Sequence, residues 1–264
     1  MCDYDIRDLK LAGVAWELDD IPMTLREAAR KIAAAAPTTN NVDAAVVQNA
    51  NGTMPGRTAT MIVPPIAPIQ TMSVETATAM AARPGDIASM LRMIAEFNHP
   101  LRACATNVVL PHIAQNPNGL VIVTDIPGSD DDATGRIMSG AAGELMDKMI
   151  AAIGMSRDNV SILPLLFWRT PGGRTPTEDE MDLSRPFVQR ILEMLHPRVI
   201  LTFGTIAAMQ IAGVTLPRAH GVAVEKDGIK IMPIYHPNYL LLKPSAKRDA
   251  WNALQIVQNM LKTV

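Results

Sequence analysis

Tyr235-His236-Pro237-Asn238-Tyr239-Leu240-Leu241-Leu242-Lys243-Pro244, followed at once by Ser245-Ala246-Lys247-Arg248-Asp249-Ala250-Trp251, is the stretch on which the reading of this chain turns. The apolar run before it, Ile229 to Ile234, has the length of a buried strand and delivers His236 at its end. Pro237 has no N–H and its ring clashes with a helical residue before it, so His236 is predicted on a loop, with helix forbidden there. Open α/β sheets collect their ligands at the carboxyl ends of strands, which makes this histidine a candidate for chemistry. Lys243, Lys247 and Arg248 follow closely, a set of cations suited to phosphate.

Working outward, strand and helix signals alternate from Pro84 to the end of the chain. Gly119–Thr124, Val160–Leu166 and Val199–Phe203 are short apolar runs bounded by turn residues. Val222–Glu225 and Ile229–Ile234 flank Lys226-Asp227-Gly228 and read as a hairpin whose second arm is a core strand. Between them lie helical patterns. One starts at Asp86, a second covers Ala142–Ile153 with Gly154 past its end, and a third opens on the capping box of Thr177 and Glu180 and should kink at Pro186. A last helix begins at Ser245, with Trp251, Leu254, Val257 and Leu261 expected inward. This order predicts an α/β fold, a three-layer α/β/α sandwich around a central, mainly parallel sheet of four strands. The strand ends then bring Asp125, the Pro164 region, Gly204 and His236 to one rim.

The chain has 264 residues, 48% hydrophobic and 19% charged, enough for one sizeable globular domain with an extension. Residues 1–84 are set apart by a predicted helix, Thr24 to Ala36, and by a long tract rich in Ala, Thr, Pro and Met. They read as an arm or linker ahead of a domain over 85–264. No apolar run approaches the roughly 18 residues of a membrane helix, and no basic stretch leads into an apolar one at the start, so no membrane contact is expected. Cys2 and Cys104 cannot make a disulfide framework, and a cytoplasmic location is expected. With a net charge of −2, a nucleic acid would have to be held by a local basic face.

Three further segments join the histidine motif. They are Val121-Ile122-Val123-Thr124-Asp125-Ile126-Pro127-Gly128, Gly135-Arg136-Ile137-Met138-Ser139-Gly140, and Ile162-Leu163-Pro164-Leu165-Leu166-Phe167-Trp168-Arg169-Thr170-Pro171-Gly172-Gly173-Arg174-Thr175-Pro176. In this order the four resemble motifs of the uracil-DNA glycosylase superfamily, and of its family 4 in particular. The first resembles Gly-Glu-Ala-Pro-Gly, with Asp125 at the Glu position. The second resembles Gly-Arg-Pro-Phe-Val-Gly, with Met138 in place of the stacking phenylalanine. The third carries Pro164 where the family has the Asn that reads the uracil edge, and the last resembles His-Pro-Ser-Tyr-Leu-Leu with Asn238 for Ser.

The resemblance implies a glycosylase that flips a base from DNA and hydrolyses its N-glycosidic bond. Asp125 would place a water and His236 would donate to the base oxygen that gains charge. Pro127, Gly128, Met138, Pro164 and Asn238 would line the base pocket, and Arg169, Arg174, Lys243, Lys247 and Arg248 would meet phosphates of single- or double-stranded DNA. Family 4 proteins normally hold an iron–sulfur cluster on four cysteines. Here His99 and Trp168 stand at two of those positions and Ser184 near a third, so no cofactor or metal is expected. Two rival readings stay open: a catalytically inactive DNA- or partner-binding protein on the same fold, and a glycosylase for a different lesion.

Overall fold

The computed structural model describes residues 72–262. The predicted helix over 24–36, most of the arm and Cys2 lie outside these residues. The strand signals become β1 (Leu120–Thr124), β2 (Ser161–Pro164), β3 (Val199–Phe203), β4 (Val224–Lys226) and β5 (Ile229–Ile234). They form one sheet in the order β2-β1-β3-β5-β4, parallel except for the β4–β5 hairpin. The sheet therefore has five strands where four were expected. The added strand is the first arm of the hairpin, which pairs along the free edge of β5.

Helices cover both faces. They are α1 (Val74–Ala81), α2 (Ile87–Glu96), α3 (Ser129–Thr134), α4 (Gly140–Ala152), α5 (Glu178–Leu195), α6 (Thr205–Ala207), α7 (Pro237–Leu242) and α8 (Lys247–Lys262). Strand side chains alternate between two cores, as a period of two requires. Val121, Val123, Leu163, Ile200 and Ile231 pack with Met90 and Ile94 of α2 and Phe187 of α5. Leu120, Ile122, Ile162, Leu201 and Met232 face Met146 of α4 and Leu254 of α8. Each such side chain contributes about 1.5–3 kcal/mol by leaving water, so the two layers fix the sheet register.

Several local expectations are met in detail. Asp86 caps α2 by accepting the Ser89 N–H at 2.8 Å. Thr177 and Glu180 make both halves of the capping box at the start of α5, which is one continuous helical element through Pro186. Others are corrected. Val74–Ala81, read as part of the arm, is a helix capped by Ser73 that buries Ala77 and Ala81. Pro237 does not forbid helix. It is the first residue of α7, where a missing N–H costs nothing, and His236 is the extended cap before it (φ −60°, ψ 142°). Trp251 faces outward at 39% exposure, because the face that α8 buries is the one bearing Ala250, Ala253, Leu254 and Val257.

Candidate active site

The carboxyl ends of β1, β2, β3 and β5 lie side by side, with Thr124 in register with Pro164 and with Phe203, and Phe203 with Ile234. The next residues continue this rim: Asp125 donates its N–H to Phe203 O, Leu165 to Thr124 O, and Gly204 to Ile234 O. Four separate stretches of sequence thus meet where the alternation placed them.

His236 caps α7 with its own ring. Nδ1 accepts the Asn238 N–H at 3.1 Å, so in the neutral imidazole the proton sits on Nε2. Nε2 lies 3.1 Å from the hydroxyl of Thr124 and donates to it. That hydroxyl in turn points at the sulfur of Met138, 3.6 Å away. Burial pushes the His236 pKa down to about 4, opposed by the nearby charge of Asp131, so the ring is neutral at physiological pH.

Asp125 turns elsewhere. Its carboxylate accepts the N–H of Ala207, the last residue of α6 after β3, at 2.6 Å. A Cβ at Gly204, whose φ is +103°, would stand 2.1 Å from the carboxylate oxygen, so only glycine fits there. Burial raises the Asp125 pKa to about 7, against the pull of the Ala207, Ile206 and Thr205 amides. No hydrogen bond joins Asp125 to His236 among the described residues.

Met138 is 2% exposed and holds a left-handed backbone (φ 51°), a costly state for a side chain of its kind. Arg157 fixes it by donating to the carbonyls of Ile137 and Met138 while pairing with Asp147 at 2.8 Å. Asp131 braces the same wall, accepting the N–H groups of Gly128 (3.0 Å) and Ser139 (2.7 Å). Pro127 is buried, Gly128 half-buried and Pro164 buried at the end of β2, while Asn238 is exposed.

The cations divide. Lys243, Lys247 and Arg248 are exposed around α7 and the start of α8, and Arg169 is half-buried after Trp168. Arg174 is forked onto Glu180, at 2.8 and 2.5 Å. Leu242, 83% exposed beside Lys243, was missed in the sequence because the run Leu240-Leu241-Leu242 reads as core; only Leu240 is buried. Thr124, Asp131 and Arg157 were missed as well. The one signal for Asp131 is a carboxylate three residues past Gly128, the spacing of a cap.

The residues at the family's cluster positions do not fit that group. His99 is 1% exposed and stacks on Trp168, with centroids 4.7 Å apart and planes 10° apart. Its Nδ1 accepts the Leu101 N–H, leaving Nε2–H to donate to Glu180 O at 3.0 Å. Phe97 packs against both rings and against Phe187. Ser184 is buried without a partner for its hydroxyl, and Cys104 is exposed. A cluster needs four thiolates, and the whole sequence contains two cysteines.

A model of the uracil DNA glycosylase superfamily matches residues 111–255, which include every strand of the sheet and all four rim segments. The type-4 uracil-DNA glycosylase of Archaeoglobus fulgidus is 34% identical over 159 residues, covering 56% of this chain and 79% of that protein. The Thermotoga maritima type-4 enzyme is 32% identical over 146 residues (54% and 76%), and that of Pyrobaculum aerophilum 28% over 160 (57% and 81%). Sheet order, rim and matched span agree, and on them this chain belongs to the uracil-DNA glycosylase superfamily, on its family 4 side.

Proposed function

We propose that this protein excises uracil, or a related damaged base, from DNA by hydrolysing the N-glycosidic bond. One observation carries the reading: a neutral imidazole, locked by Asn238 with its proton on Nε2, stands at the end of β5 on the rim shared with Asp125. In the reaction the C1′–N bond breaks and the base leaves with the electron pair. His236 donates a hydrogen bond to the base oxygen that gains charge. Water adds to C1′ and passes its proton to the Asp125 carboxylate. A neutral imidazole suits this task, since its N–H can donate to the developing negative charge without surrendering the proton to the leaving base.

Pro127, Gly128, Met138, Pro164 and Asn238 form the base pocket in this reading. Arg169, Lys243, Lys247 and Arg248 hold phosphates. Arg174, its fork already filled by Glu180, ranks behind them. Leu242 supplies an apolar wedge among these cations, of the kind that props open a base stack. The protein works in the cytoplasm without a cluster, its place taken by the His99–Trp168 stack. Among the described residues no helix is long and apolar enough to cross a membrane.

A second reading, a DNA-binding protein without catalysis, draws support from two features. Asp125 is tied to the Ala207 amide, and Pro164 offers neither a polar side chain nor an N–H to read a base edge. A pocket walled by Met138 and Pro164 also suits a less polar lesion base. Incubation of excess protein with a labelled single-stranded oligonucleotide bearing one uracil, followed by alkali, separates these. Strand cleavage by the wild type, absent in His236→Ala, supports excision. Salt-sensitive binding without cleavage leaves the binding protein, and cleavage only of hypoxanthine or xanthine substrates points to another lesion.

A further inference from the structure

We infer that the Thr124 hydroxyl is a built-in competitor for the base: it takes the hydrogen bond from His236 that a bound base must claim. This deepens the reading of His236 as the donor to the leaving base, and rests on it. The Asn238 amide occupies Nδ1, so the ring has one proton to give, and Nε2 gives it to Thr124 at 3.1 Å. Thr124 is 3% exposed and sits at the end of β1, in register with Pro164. Its χ1 is stiff because the side chain is branched at Cβ, and its own proton is directed to Met138 Sδ at 3.6 Å.

Imidazole, hydroxyl and thioether therefore form a closed chain with no donor left over. A base oxygen entering the site exchanges one hydrogen bond for another and gains little. Thr124 thus acts through His236 as a positioning residue that sets how strongly the site takes a base. The motif resembled by this segment has glycine at that place, with no side chain to compete.

Thr124→Ala and Thr124→Ser test this as a pair, since both lose the methyl group and only alanine loses the hydroxyl. The probe is free uracil, titrated against each protein by calorimetry, with the imidazole ¹⁵N spectrum of His236 followed alongside. Thr124→Ala is expected to bind uracil about tenfold more tightly than Thr124→Ser, the size of one net hydrogen bond. Thr124→Ser should match the wild type, and the Nε2–H signal should shift in the alanine variant alone. Equal affinity in the two variants, weaker binding by Thr124→Ala, or no uracil binding by it up to millimolar concentration overturns the inference. Should Thr124→Ala not fold, Thr124→Gly is read in its place. Tighter uracil binding without excision by any variant retains the competitor and removes the glycosylase; excision by the wild type with unchanged uracil affinities does the reverse.

Discussion

The Asp125 carboxylate accepts the Ala207 N–H at 2.6 Å, and burial still raises its pKa to about 7. Excision through an ionised Asp125 therefore depends on pH in the neutral range. The rate should climb about tenfold per pH unit below pH 7 and level off above it, since His236 is already neutral above pH 4. Asp125→Asn should lower the plateau by roughly 10²–10⁴-fold, the usual worth of a general base. A single-turnover pH profile checks both, and a flat wild-type profile removes Asp125 from proton transfer.

Stability carries two opposed titrations. Asp125 has its folded pKa raised, so the folded state holds a proton between about pH 4 and 7 that the unfolded state has lost. Its contribution is most favourable below the unfolded carboxylate pKa and is lost as pH rises through about 7. His236 has its folded pKa depressed, so its contribution is present above about 6.5 and is lost as pH falls towards 4. The two largely offset in the wild type. His236→Gln should become more stable on acidification from pH 7 to 5, and Asp125→Asn less so, read as Tm by calorimetry. At pH 7.5 Asp125→Asn should gain about 1 kcal/mol, roughly 2–4 °C in Tm.

Removing either ring of the cluster-position stack should destabilise the α2–β2–α5 side of the molecule. Trp168→Ala is expected to cost about 3–5 kcal/mol, the range for a buried aromatic truncated to alanine. His99→Ala leaves the Leu101 amide and the Glu180 carbonyl unpaired and should cost about 1–3 kcal/mol. Wild-type Tm should not move when a strong iron chelator is added, whereas a chelator-induced drop would contradict folding without a cluster.

Gly143 lies against the left-handed Met138, and a Cβ there would stand 1.9 Å from the Met138 carbonyl oxygen. Gly143→Ala must displace a backbone atom, so a loss of about 1–3 kcal/mol is expected, with weaker uracil binding. Unchanged Tm and affinity would show that the Met138 turn is not held by this contact.

Salt dependence tests the basic rim. Each of Lys243→Ala, Lys247→Ala and Arg248→Ala should flatten the plot of log affinity against log salt by about 0.7 per lost phosphate contact on single strands. Arg174→Ala should change the slope little and lower Tm only slightly, through loss of the exposed fork onto Glu180. A slope change confined to Arg174→Ala would move the DNA path to the other side of the rim.

Much of the fold was legible because its determinants are local. Thr177 and Glu180 are three residues apart and fix one helix start between them. Ile229–Ile234 and Val199–Phe203 declare themselves by composition and come out with those bounds. Pro237 shows the limit of a local rule: the restriction on the residue before proline holds at His236, yet the proline itself opens a helix. Trp251 shows another, since bulk was taken for burial while the buried face of α8 carries Ala250, Ala253, Leu254 and Val257. Most of the site was not legible. Thr124 finds its partner 112 residues away and His99 finds Glu180 81 residues away, and no spacing in the sequence encodes either meeting.

The His99–Trp168 stack bears on how the chain assembles. Where thiolates and iron would hold these segments together, the joint is open to oxidants and its assembly waits on metal delivery. The His99–Trp168 joint is made of side chains that the chain itself carries, so this contact forms as the chain collapses and its own assembly waits on no metal.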